Sequence, residues 1–140
     1  MKQKLFVLIL MLLTLELHSE PMTYQHLNSK LIELKIPFPV TFTAVAVYES
    51  GWHFESGLAS EGNNIFGFVC ITETCYGAYS RWNTKLDCIQ YLKRWVDKNP
   101  PKDKECGIDF LRRRHYNPNN SYYSILQGIE QKLAKEFELD

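Results

Sequence analysis

The sequence predicts a mainly α-helical domain (an α+β fold) with a small β-rich insertion in its middle. Apolar residues recur at helical spacing before residue 51 and after residue 83. Between these regions, residues 51–82 hold clusters of Gly, Ser and Asn with only short β-prone stretches. The length of 140 residues suits one domain with a single modest core.

Two helices are predicted before the insertion. Leucines on one helical face predict a helix over residues 23–34. Two prolines then interrupt the chain and can begin the next helix, since proline suits a first helical turn. That segment, VTFTAVAVYES at residues 40–50, is apolar nearly all round. Its β-branched content would also allow a strand. Its length and its flanking prolines favour a buried helix that ends at Gly51.

The insertion and the second half of the chain provide the remaining elements. Residues 69–74 and 76–82 are β-prone and predict a short hairpin. Helices are predicted from a cap at Asn83 or Thr84 to residue 97, over residues 108–114, and from a cap at Ser121 to residue 137. The positions predicted to face inward are Leu86, Ile89, Leu92, Trp95 and Val96 in the first of these helices and Ile125, Ile129, Leu133 and Phe137 in the last.

The N-terminus has the pattern of a secretory signal peptide. Lys2 and Lys4 precede an unbroken apolar run, Leu5–Leu13, and Ser19 lies near a small-residue cleavage site. The apolar run is short for a membrane span. We therefore expect a signal peptide at residues 1–19, a domain at 20–140, a secreted or periplasmic location and no stable membrane insertion after cleavage. An uncleaved anchor is the alternative.

The charge balance argues against a nucleic-acid-binding function. Removing residues 1–19 takes two Lys and one Glu from totals of 16 basic and 16 acidic residues, which leaves 14 and 15. Nucleic-acid binders carry a strong basic excess. The one basic run, Arg112–Arg114, is more typical of a solvated helix end than of a phosphate site. No nucleotide motif or phosphate loop is present, so we expect no cofactor and no nucleic-acid partner.

Four cysteines follow the predicted signal peptide, at positions 70, 75, 88 and 106. An even count in an exported chain suggests disulfides, and three pairings are possible. We favour Cys70–Cys75, which could clip the hairpin, together with Cys88–Cys106. A zinc site is disfavoured because no Cys-x-x-Cys occurs and the histidines lack ligand spacing. We therefore predict no metal site.

Two Glu-Ser pairs, at Glu49 and Glu55, raise the question of which glutamate could act as an acid. Glu49 closes the apolar helix beside Tyr48 and near Trp52, so partial desolvation should raise its pKa. A carboxylic acid with a raised pKa is suited to protonating a glycosidic oxygen. From residue type alone, a helix-end glutamate that simply reaches solvent is the commoner case. Glu55 and Glu61 lie in a polar, irregular segment and are interpreted as surface residues.

The motif containing Glu49 resembles the glucosaminidase domain of bacterial peptidoglycan hydrolases of the flagellar and autolysin types. The matching residues are Glu-Ser-Gly-Trp at 49–52, Leu-Ala at 58–59 and Asn-Asn-Ile-Phe-Gly at 63–67. KIPFPVTFTAVAV before them, AYSRWNTKLDCIQYL after them and the late segment RRRHYNPNNSYYSIL are also similar to that family. The resemblance covers roughly residues 26–137.

This resemblance implies a lysozyme-like fold, with a helical lobe, a small disulfide-clipped β-hairpin lobe and a groove between them. It implies an endo-β-N-acetylglucosaminidase that cleaves the β-1,4 bond after N-acetylglucosamine in peptidoglycan glycan strands, with Glu49 as general acid. We expect it to act as a monomer. Independently of the resemblance, Asn63 and Asn64 are suited to fixing the turn into the hairpin. The candidate substrate-binding residues are Trp52, Asn64, Phe66, Tyr79 and Tyr116, for several of which core packing is the alternative.

The second carboxylate and the exact reaction remain open at this stage. Glycoside hydrolysis usually needs two carboxylates. Glu73, between two cysteines at the predicted hairpin tip, is the first candidate, and Asp87 is the second. The substrate's acetamido group could replace either one. A lytic transglycosylase is an alternative enzyme, although its usual segment after the glutamate is missing. A non-catalytic glycan-binding module is an alternative of another class, and a secreted effector would use the same chemistry on a competitor's wall.

Overall fold

The computed structural model describes residues 21–69 and 75–138, and this part of the chain is mainly helical. A single two-stranded antiparallel sheet is formed by these residues. The predicted signal peptide lies outside the described residues. The helices are α1 (Tyr24–Glu33), α2 (Pro39–Ser50), α3 (Gly57–Gly62), α4 (Lys85–Lys98), α5 (Gly107–Arg113) and α6 (Asn120–Phe137), and the strands are β1 (Cys75–Tyr76) and β2 (Tyr79–Ser80).

Helix α2 forms the centre of the core. Pro39 occupies its first turn, where a missing amide donor costs nothing, and Gly51 with φ of 75° follows its last residue. Phe42 and Val45 in its middle are fully buried. Helices α1 and α6 pack against it. The predicted buried helix at residues 40–50 is therefore confirmed, and it places its C-terminal end beside α6.

The start of α5 approaches α2 at a glycine. A Cβ atom added to Gly107 would lie 2.0 Å from the Thr41 hydroxyl oxygen. That hydroxyl also donates a hydrogen bond to Glu130 of α6. Because only glycine leaves the required space, this contact brings α2, α5 and α6 together at one point of the core.

The β-hairpin is shorter than the sequence predicts. Cys75 pairs with Ser80 and Tyr76 with Tyr79, and Gly77 (φ of 58°) lies in the connecting turn. A turn at Gly77 interrupts the continuous strand predicted over residues 76–82. An isolated antiparallel bridge joins Val69 to Tyr79 and connects the hairpin to the preceding loop.

Two predicted inward positions and one helix differ from expectation. Leu86 is 39% exposed and Ile125 is 47% exposed, so neither belongs to the core. The buried residues of α6 are the predicted Leu133 together with Tyr122, Tyr123 and Leu126. Helix α3 was not predicted, because the Gly and Ser residues of its sequence, GLASEG, have low helix propensity and the helix is short.

The predicted Cys88–Cys106 disulfide is wrong, because both residues are free thiols. Cys88 is fully buried in α4, whereas Cys106 is exposed at the start of α5, where its sulfur lies 3.3 Å from an Asp109 carboxylate oxygen. Cys70 lies outside the described residues, so its pairing with Cys75 stays a prediction.

The described helices bear on two sequence expectations, one on membrane spans and one on the arginine run. No helix within residues 21–69 and 75–138 combines the length and the apolar character needed to cross a bilayer. Arg112 pairs with Asp109 at 3.1 Å, and Arg113 pairs with Glu105 at 2.6 Å. These arginines therefore have acidic partners in the structure.

Candidate active site

Glu49 lies one residue before the end of α2, where the buried helix reaches the surface. Its neighbour Ser50 is buried and donates a hydrogen bond to the Ile65 carbonyl at 3.0 Å. This bond joins the end of the helix to the loop of residues 63–68, which we call the Asn-Asn loop. Glu49 itself is partly buried. The helix and the loop together therefore fix the backbone that carries the carboxyl group.

The Glu49 carboxyl group accepts a hydrogen bond from a buried tyrosine. The Tyr122 hydroxyl of α6 donates to Glu49 Oε1 at 3.1 Å. Burial raises the pKa of Glu49 above its ordinary value of 4.5, and the bond from Tyr122 offsets part of this rise. The predicted raised pKa is confirmed in direction. Because the pKa of Tyr122 is itself raised, mainly by burial, Tyr122 stays protonated and acts as a donor.

The other carboxylate oxygen lies against a glycine of the Asn-Asn loop. Gly67 adopts φ of 68°, a conformation that suits glycine. A Cβ atom at this position would lie 2.7 Å from Glu49 Oε2 and 2.8 Å from the carboxyl carbon. With Oε1 bonded to Tyr122, Oε2 is the oxygen left to carry an acid proton, and Gly67 leaves it space.

Asn64 holds the Asn-Asn loop against the hairpin. Its side chain is fully buried and donates to the carbonyl of Phe68 at 2.8 Å and to that of Ser80 at 3.1 Å. Its side-chain oxygen accepts from the Phe68 amide at 2.9 Å. Asn63, in the left-handed conformation after α3, donates to the Trp82 carbonyl at 3.0 Å. The turn-fixing role expected for both asparagines is therefore observed, and for Asn64 it uses both ends of the amide.

Tyr116, like Tyr48, packs against the ring of Tyr122. Its hydroxyl donates to the Phe66 carbonyl at 2.6 Å, and its ring stacks on that of Tyr122 with 6.4 Å between centroids. Burial raises the pKa of Tyr116, so it also remains a donor. The structure thus brings Tyr116 into contact with Tyr122, the hydrogen-bond donor to Glu49, and the Tyr116 hydroxyl supports the Asn-Asn loop at Phe66.

The remaining predicted binding residues have different surroundings. The ring of Trp52 is partly buried, with the Lys132 ammonium 4.3 Å from its centroid and the Tyr24 ring at 5.3 Å. Phe66 is fully buried and packs on Phe68. Tyr79 is 39% exposed on β2. Of these three side chains, Tyr79 therefore presents the most exposed aromatic surface to a ligand.

The candidates for a second carboxylate are not brought to Glu49 by any contact within the described residues. Glu73 lies outside those residues. Asp87 accepts from the Thr84 amide at 3.0 Å and from the Thr84 hydroxyl at 2.8 Å, which completes a capping box at the start of α4. Glu55 and Glu61 are exposed. Asp87 therefore has a structural role as the capping-box acid of α4.

Sequence reasoning missed Tyr122 and Gly67, which both contact the acid. Tyr122 is 73 residues from Glu49 in the chain, so no local motif connects them. A signal did exist. Tyr122, Leu126, Ile129 and Leu133 recur at helical spacing, but the chosen stripe began at Ile125. Gly67 is the last residue of the Asn-Asn-Ile-Phe-Gly motif, but the sequence did not indicate its contact with Glu49.

A cleft of about 710 Å³ has Asn63 of the Asn-Asn loop in its lining but does not include Glu49. It opens between α1 and the start of α4. Within the described residues, no group of three or more His, Cys, Asp or Glu side chains has the geometry for a metal ion. The cleft is lined by Pro21, Met22, His26, Lys30, Asn63, Asn83, Thr84, Lys85 and Leu86.

Comparisons with protein-family models, with curated proteins and with solved structures find no match to this chain.

Proposed function

We propose that this chain is an exported glycoside hydrolase that cleaves the β-1,4 bond after N-acetylglucosamine in peptidoglycan, with Glu49 as the general acid. The observation that carries the proposal is the setting of Glu49. Its carboxyl group closes a buried helix, has a raised pKa, accepts from Tyr122 and lies against Gly67. The resemblance of the surrounding motif supplies the substrate class.

The chemistry follows from that setting. Burial keeps a larger fraction of Glu49 protonated near neutral pH than a solvated glutamate would have. A protonated carboxyl group can donate to the glycosidic oxygen as the bond to the sugar carbon breaks, and a water molecule then supplies the hydroxyl that completes the hydrolysis at that carbon. The bond from Tyr122 holds Oε1 and so orients Oε2 for this transfer. After the leaving group departs, the same bond stabilises the carboxylate.

The remaining parts of the proposal concern the fold and the second carboxylate. A lysozyme-like arrangement would place the helical body and the hairpin on opposite sides of the substrate, joined by the Asn-Asn loop. Glu73 is the proposed second carboxylate, and Tyr79 and Tyr116 are proposed to line or support the groove. The exposed ring of Tyr79 supports a contact role, while the bonds of Tyr116 support a role in holding the loop.

Digestion of purified peptidoglycan sacculi, followed by mass spectrometry of the products, tests the proposal. The chain should release fragments with N-acetylglucosamine at the reducing end. Glu49→Gln should abolish release, because an amide cannot donate the acid proton. Glu55→Gln is the matched control, since it changes the exposed glutamate of the other Glu-Ser pair.

The same products separate the alternatives. Anhydro sugar ends would identify a lytic transglycosylase. Binding to sacculi without any sugar release by the unmodified chain would identify a glycan-binding module. Equal release by Glu49→Gln and the unmodified chain would remove Glu49 from the mechanism.

A further inference from the structure

Tyr48 is an exposed aromatic residue directly beside the acid on α2. It is 41% exposed, whereas the residues on either side of the 48–49 pair, Val47 and Ser50, are 4% and 1% exposed. Ligand-binding surfaces are lined mainly by apolar and aromatic side chains. The sequence indicated a role for Tyr48 only as an apolar neighbour that helps to desolvate Glu49.

The Tyr48 ring is held in place by the tyrosine that also binds the acid. Its centroid lies 4.8 Å from that of Tyr122, and the two planes meet at 80°. Such edge-to-face pairs are favourable beyond simple burial. The Tyr122 hydroxyl in turn donates to Glu49. One buried side chain therefore positions both an exposed aromatic ring and a carboxyl group.

We infer that Tyr48 forms a sugar-binding surface that contacts the pyranose ring adjacent to the bond protonated by Glu49. This inference rests on the proposed function. The occupant is an N-acetylated β-1,4-linked sugar, since C–H groups on one face of such a ring complement an aromatic surface. Because the ring is already positioned by Tyr122, binding immobilises little additional side-chain freedom.

Trp52, the aromatic residue that the motif placed near the substrate, is less suited to this role. The Lys132 ammonium lies over its ring and Tyr24 packs against it. These contacts join the end of α2 to α6 and α1. Tyr48, which is the more exposed of the two, is therefore the better candidate for contact with a sugar.

Calorimetric binding of a β-1,4-linked N-acetylglucosamine tetrasaccharide to the Glu49→Gln chain tests this inference without turnover. Tyr48→Ala in that background should weaken binding about tenfold, because loss of one favourable aromatic contact has this order of effect. Tyr48→Phe should bind within about threefold of the parent, because it keeps the ring. Ile32→Ala, which removes an exposed apolar side chain from α1, is the matched control and should not change affinity.

Kinetics on sacculi separate contact from a structural effect. Tyr48→Ala should raise KM with kcat nearly unchanged, as expected for lost substrate binding. Tyr48→Leu retains packing on Tyr122 without a flat ring, and should also raise KM even if Tyr48→Ala folds poorly. Unchanged tetrasaccharide affinity in both variants would overturn the role of Tyr48 while leaving hydrolysis by Glu49 intact. Absence of both binding and sugar release in the unmodified chain would overturn the proposed function and this inference together.

Discussion

At the residue scale, Gly67 determines how closely the Asn-Asn loop approaches the acid. Gly67→Ala should destabilise the protein through its positive φ and through overlap with the Glu49 carboxyl group. Gly77→Ala is a close control, because Gly77 also has positive φ but has nothing within 4 Å of its added Cβ. Chemical denaturation should show Gly67→Ala less stable than Gly77→Ala by about 1–3 kcal/mol. Equal losses would mean that the carboxyl group moves away freely.

Tyr122 is the residue that limits the rise in the pKa of Glu49. Tyr122→Phe removes the hydroxyl that stabilises the carboxylate, so the pKa of Glu49 should increase further. Carbon-detected NMR titration of the glutamate carboxyl group measures this shift directly. Tyr123→Phe is the control, because the Tyr123 hydroxyl donates to Asn117 at 2.7 Å instead. An unchanged Glu49 titration in Tyr122→Phe would show that the hydrogen bond has no electrostatic effect.

At the element scale, the sequence predicted helices better than it predicted their faces. Pro39 and Gly51 bracket α2, and Thr84 caps α4 through its hydroxyl, so both helices followed from local chemistry. The orientation of α6 depends on packing with α2, which no local pattern contains. The predicted stripe and the buried stripe of α6 share Ile129 and Leu133. They differ at the start of the helix, where the Tyr122 ring packs against the rings of Tyr48 and Tyr116.

The candidate site shows the same limit. The position of Glu49 at the end of α2 was predictable, because its helix and the glycine after it lie within a few residues in the chain. Its hydrogen-bond donor was not, because α2 and α6 are separated by most of the domain. Asp87 was assigned a possible catalytic role, but it completes the α4 capping box, a pattern visible in the sequence as Thr-Lys-Leu-Asp.

The two free cysteines differ in exposure, since Cys88 is buried in α4 and Cys106 is exposed at the start of α5. This difference predicts which thiol reacts first. Cys106 at the start of α5 should react with a thiol reagent in the native protein, because it is exposed. Cys88 should be protected, since burial raises the pKa of its thiol to about 12. Mass spectrometry of peptides after timed alkylation should find Cys106 modified first and Cys88 only after unfolding. If Cys70 and Cys75 are paired, denaturation without a reductant should release two reactive thiols, and reduction should release four.

Rapid alkylation of both Cys88 and Cys106 under native conditions would contradict the burial of α4. Resistance of both to alkylation after denaturation without a reductant would instead indicate a disulfide that the structure does not contain. Cys88→Ala provides the control, because it should leave the rate at Cys106 unchanged.

At the scale of the whole molecule, burial of Glu49 lowers stability at neutral pH. A carboxyl group whose pKa is raised by folding binds its proton more tightly in the folded state. Stability should therefore fall as pH rises from about 4.5, the ordinary value, through the raised pKa. Glu49→Gln removes this effect, so its melting temperature should exceed that of the unmodified chain at pH 7. The difference should shrink as pH falls through the raised pKa towards 4.5, and it should stay small below that value.

Thermal melts across this pH range measure the difference. Glu55→Gln is again the control, because that side chain is exposed. A melting temperature of Glu49→Gln that is lower than that of the unmodified chain at pH 7 would show that the contacts of Glu49 outweigh the cost of burying its charge.

The acid and the tyrosine that orients it lie on α2 and α6, two helices that pack directly against each other. The hairpin is joined to this pair through the Asn-Asn loop, by the bonds of Asn64. The Tyr122–Glu49 contact and the hairpin therefore belong to separate parts of one small domain, joined by the Asn-Asn loop. For protein engineering, the hairpin is the segment that could be exchanged without altering the contact between Tyr122 and Glu49. The helix pair is the segment to leave intact.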